Sequence, residues 1–155
     1  VNGSLDASVA VRDGFGDVQT ATVVGAVGPY VTTAAICHAW REAIWRATTP
    51  AFPPLYQVEG LWLAGEIGGV EISVAATLFG PKLAFDEVLW SLDCRARDPR
   101  NEQWRERLSQ SVYVNEDQST LREIARAVAE WFAPLDERLD ELAEMAAPDV
   151  LKAAC

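Results

Sequence analysis

The run from Leu61 to Leu78 constrains the fold more than any other part of the chain. Val70, Ile72, Val74, Ala76 and Leu78 alternate with Glu71, Ser73, Ala75 and Thr77. Successive strand side chains point to opposite faces, so a period of two marks a half-buried strand. Upstream, Leu61, Leu63, Gly65 and Ile67 alternate with Trp62, Ala64 and Glu66, and Gly68-Gly69 separates the two runs. A two-residue glycine loop suits a type I′ turn, which needs positive φ at both positions. That loop sets Ile67 against Val70, Leu63 against Val74 and Leu61 against Ala76. A slip of one residue would send the apolar set to both faces, so the alternation itself selects this register. The same register sets Glu66 directly opposite Glu71, with Trp62 and Ser73 on their face.

A hairpin with one apolar face needs a cover, and the rest of the chain offers helices. Tyr30 to Ala47 reads as a helix with Ile36, Trp40 and Ile44 four apart, Pro29 in its first turn, and Thr48, Thr49 and Pro50 as its stop. Pro81 is expected to open a helix with a Phe85, Val88, Leu89, Leu92 stripe. Residues 93–107 read as a charged link with a short helix around Trp104 to Leu108, and Val112 to Val114 as a last strand. Thr120 and Glu123 form a capping box for a helix carrying Leu121, Ile124, Ala125, Val128 and Phe132. Pro134 is expected to break or kink it before a second amphipathic stretch through Leu135, Leu139, Leu142 and Met145. Val9 to Arg12 and Val18 to Val24 read as short strands about an Asp13-Gly14 turn, and residues 1–7 as loose. Strands in front, helices behind and no regular βαβ alternation predict a single α+β domain. Its antiparallel sheet is built around the Gly-Gly hairpin and packed on one face by helices, with a helical C-terminal third.

The formal net charge is −10, which repels phosphate backbones and anionic lipid and favours a basic partner. Val18 to Trp40 contains no Asp, Glu, Lys or Arg, the one stretch that invites comparison with a membrane span. Gln19, His38, four threonines and the Gly25 to Pro29 interruption make it too polar for one. Asp6, Arg12 and Asp13 do not read as a signal peptide. Cys37, Cys94 and Cys155 are widely spaced, with neither CxxC nor zinc-type spacing, and point to a reducing cytoplasm.

Catalytic signatures are sparse. The lone histidine, His38, precedes Glu42 by one helical turn, so the two can meet; two such groups do not complete a metal set. Neither a nucleophile elbow, a phosphate loop nor a zincin motif occurs. Arg95, Arg97, Arg100, Arg105 and Arg107 alternate with Asp93, Asp98, Glu102 and Glu106, a pattern of local neutralisation. On the C-terminal helical stretch after Pro134, to about Ala147, Asp136, Glu137, Asp140, Glu141 and Glu144 stand against Arg138 alone.

The expectation is a non-enzymatic acidic module that neutralises or escorts a basic partner protein, in the manner of an immunity factor, with neither cofactor nor metal. The expected contact residues are Trp62, Glu66, Glu71, Asp136, Asp140 and Glu144. One alternative is a small-molecule binder or enzyme with a tryptophan-lined pocket holding His38, Glu42 or Cys94. Another is a nucleic-acid mimic using the acids of 130–149. Neither direct nucleic-acid binding nor membrane association is expected.

Overall fold

The computed structural model describes residues 2–48, 56–78, 87–98, 101–115 and 120–154; for residues 87–88, 98, 101–107, 110–115, 120 and 140–154 the description extends to the backbone alone. The elements run β1 (Gly3–Asp13), β2 (Val18–Val27), α1 (Thr33–Thr48), β3 (Tyr56–Ile67), β4 (Val70–Leu78), β5 (Glu87–Asp98), β6 (Asn101–Asn115) and α2 (Thr120–Ala154). The strands form one antiparallel sheet in the order β2-β1-β3-β4-β5-β6. β2 and β3 flank β1 and run the same way, so a crossover must join them, and α1 supplies it.

The β3–β4 ladder has the register that the alternation selects: Leu61 faces Ala76, Leu63 faces Val74, Glu66 faces Glu71 and Ile67 faces Val70. Gly68 and Gly69 take φ of 60° and 80°, the two positive values of the type I′ turn. One sheet face is apolar across all the strands. Leu5, Val9, Leu61, Leu63, Ile72, Val74, Leu92 and Cys94 are buried there with Ile36 and Trp40 of α1 and Ile124, Val128 and Leu139 of α2. Both helices therefore cover the same face, as α+β packing requires.

Several elements differ from expectation. β1 begins at Gly3, and Leu5 and Ala7 are fully buried in what reads as a polar, loose terminus. The β1–β2 connection is not a tight Asp13-Gly14 turn; the Asp13 carboxylate accepts from the N–H of Phe15 and Asp17 at 2.8 and 3.0 Å and organises a longer loop. Thr32 caps α1, its hydroxyl accepting from Ala35 N–H at 3.1 Å, so Pro29 lies outside the helix.

The helix expected after Pro81 is a strand from Glu87 onwards; residues 79–86 lie outside the described residues. Trp90, Leu92, Cys94 and Ala96 alternate with Ser91, Asp93, Arg95 and Arg97. The open edge of β4 sets them opposite Leu78, Ala76, Val74 and Ile72. The predicted charged link of 93–107 falls in β5 and β6, with 99–100 outside the described residues; the short helix expected around Trp104 is part of β6, which also absorbs the predicted strand at Val112 to Val114. Pro134 does not end α2. It removes one backbone donor, but Phe132, Leu135 and Leu139 are buried on either side and hold the helix to the sheet.

Candidate functional site on the open face of the sheet

Both helices pack on one face of the sheet, and the ladders order the residue positions of the other face into rows. Nearest the Gly68-Gly69 turn the row reads Ser4, Glu66, Glu71, Arg97, Arg105 from β1 to β6. The next reads Asp6, Ala64, Ser73, Arg95, Arg107, and the third Ser8, Trp62, Ala75, Asp93, Ser109. Eight of these fifteen positions hold charged residues, and the two glutamates stand at the β3–β4 end.

Glu66 and Glu71 are both exposed. Among the described residues no side chain forms an ion pair or hydrogen bond with either carboxylate. Like charges directly opposite across a ladder destabilise a sheet by about 0.2–1 kcal/mol. Arg97 stands across from Glu71 in the β4–β5 ladder, while Glu66 has only Ser4 on its far side, so the negative potential is centred toward Glu66. Arg95 bridges Asp93 at 2.8 Å, and Ser109 donates to the same carboxylate at 3.2 Å.

Trp62 is half-buried rather than projecting. Its ring lies over Gly60, two residues back on the same strand: a Cβ at Gly60 would come within 2.1 Å of the indole. The missing side chain at Gly60 is what lets the ring lie down. Trp62 thus lays an apolar ring on this face two rows from the acidic pair, leaning away from it toward Gly60.

Of the remaining expected contact residues, only the Asp136 side chain is among the described residues. Asp136 is exposed on α2, whose buried stripe packs against the opposite side of the sheet. Asp140 and Glu144 follow on the same helix, with side chains outside the described residues. Nearer the helix start, Glu123 and Glu130 both pair with Arg126. Asp136 therefore lies on a different surface from Trp62, Glu66 and Glu71.

His38 is exposed, and the Glu42 carboxylate accepts from Arg46 at 2.9 Å. Cys94 is buried on the other side of the core, so His38, Glu42 and Cys94 do not converge. Burial, then Asp93, pushes the Cys94 thiol up to about 12, and burial also raises the Cys37 thiol. Such groups stay protonated and unreactive. Among the described residues no three His, Cys, Asp or Glu side chains are grouped to hold a metal ion, and no helix is long and apolar enough to cross a membrane.

Sequence reasoning gave no contact role to Phe15, Tyr30, Trp45 and Tyr56, the exposed aromatics among the described residues. Phe15 occupies the β1–β2 loop, and Tyr56 pairs with Asp13 beside it. The only signal for Phe15 is its place between Gly14 and Gly16. No protein-family model, curated protein or solved structure matches the chain.

Proposed function

We propose that the chain is a non-enzymatic acidic binding module that neutralises or escorts a basic partner protein, in the manner of an immunity factor, and docks it at the Glu66–Glu71 end of the open sheet face. The observation that carries this reading is the pair itself. Two exposed carboxylates face each other on a rigid ladder with no ion-pair partner among the described residues. A partner Arg or Lys seated between them gains two charge-assisted hydrogen bonds and relieves the repulsion together. Trp62, two rows along the same face, offers apolar area to a partner broad enough to reach it, and the net charge of −10 steers a basic partner toward the chain. The buried free thiols Cys37 and Cys94 favour action in the reducing cytoplasm.

The test is affinity capture from host extract with the wild-type chain and with E66K/E71K. The expected result is one basic protein retained repeatedly by the wild type and lost by the reversal, with a slower association rate and a shallower salt dependence. Unchanged affinity and salt dependence in E66K/E71K would exclude this face. Repeated capture of no basic protein would count against the class.

A further inference from the structure

β2 and β6 are the two edges of the sheet, and they are built differently. Exposed edges invite pairing with other strands and are ordinarily blunted by charge or proline. β6 carries Glu102, Arg105, Glu106 and Arg107. β2 reads VQTATVVGAV, with neither charge nor proline. It lies within the charge-free stretch from Val18 to Trp40, the feature that reads as a failed membrane span. Among the described residues β2 pairs with β1 alone, which leaves its outer row of N–H and C=O groups free. Its one edge device is late: the ladder shifts register near its end, where Asp6 accepts from Gly25 N–H at 2.8 Å. The straight portion is Val18 to Val24.

That portion is self-complementary. Val18, Thr20, Thr22 and Val24 share the open face, and both valines are exposed, Val24 at 79%. An antiparallel second copy related by a two-fold axis at Ala21 sets Thr20 against Thr22 and Val18 against Val24. Thr–Thr and aliphatic pairs are the favourable kind across a ladder. The net charge of −10 opposes self-association in general, and β2, which carries no charged residue, is an edge where strand pairing adds no like-charge contact within the ladder.

We propose that β2 is a homodimerisation edge, in which the Val18–Val24 strand pairs antiparallel with the same strand of a second copy about Ala21 and joins two sheets into one of twelve strands. The open sheet faces and their acidic ends remain accessible. An interface of a single strand pair is small, so the association is expected on the order of micromolar.

The experiment is sedimentation equilibrium of the full chain over a concentration series, with V18K/V24K and V18K/V24E and circular dichroism to verify folding. The proposed register places lysine against lysine in the first variant and lysine against glutamate in the second. The expected result is a wild-type monomer–dimer equilibrium, weakened about tenfold or more in V18K/V24K and restored in V18K/V24E. A wild type that stays monomeric throughout overturns the proposal and leaves the edge to a strand from another protein. Equal effects of the two variants also overturn it, because the dimer then uses another surface. Should the variants unfold, amide exchange of the wild type decides: slower exchange within 18–24 at high concentration supports the pairing, and concentration-independent exchange refutes it.

Discussion

The indole N–H of Trp40, fully buried in α1, donates to the backbone carbonyl of Trp62 in β3 at 3.0 Å. This bond ties the crossover helix to a central strand of the sheet. Trp90 is also buried, but its indole N–H has no partner among the described residues.

Two similar truncations should therefore differ. Trp40→Phe removes a buried hydrogen bond together with packing volume, and should cost about 2–4 kcal/mol. Trp90→Phe removes an unpaired donor along with a similar volume, and should cost at least about 1 kcal/mol less. Urea denaturation compares them, and equal losses would mean that the Trp40 bond contributes nothing net.

Glu66 and Glu71 should act against the stability of the isolated chain. Glu66→Gln or Glu71→Gln is expected to stabilise it by a few tenths to about 1 kcal/mol, with the gain shrinking as salt rises. Glu130→Gln, which removes a pairing with Arg126, should not stabilise. Denaturation at low and high ionic strength separates the two behaviours.

The Trp62 ring over Gly60 predicts a coupling. Gly60→Ala should displace the ring and destabilise the wild type, yet be neutral or mildly stabilising in a Trp62→Ala background, where alanine's lower chain entropy acts alone. A double-mutant cycle in denaturant measures the interaction, and additivity would show that the ring does not depend on the glycine.

Cys94 predicts a pH dependence. Its folded thiol is raised to about 12 from an ordinary 9.0. Below 9.0 both states hold the proton and the thiol does not penalise folding. Between the two values the unfolded chain loses the proton first, so stability falls by up to about 1.4 kcal/mol per pH unit. Unfolding free energies from pH 8 to 11 should decline more steeply for the wild type than for Cys94→Ala.

The hairpin register was legible because its apolar positions repeat every second residue and the two-glycine turn admits one pairing that keeps them together. β5 was not. Val88, Leu89 and Leu92 also fit a helical stripe, and the charged residues between Trp90 and Ala96 obscured the alternation. The facing of Glu66 and Glu71 followed from local periodicity. The separation of Asp136 from that pair did not, because it depends on which face of the sheet α2 covers.

By itself, then, the sequence determined the β3–β4 hairpin, the amphipathic stripes of α1 and α2, the α+β class and the facing glutamates. All of these rest on spacing within short segments. Only the tertiary structure decided that residues 87–98 and 101–115 are strands, since β4 supplies the ladder for β5 and β5 that for β6. It also decided that both helices share one face and that the charge-free stretch beginning at Val18 starts with an unprotected edge strand. Those outcomes depend on contacts between segments far apart in the chain, which local periodicity does not encode.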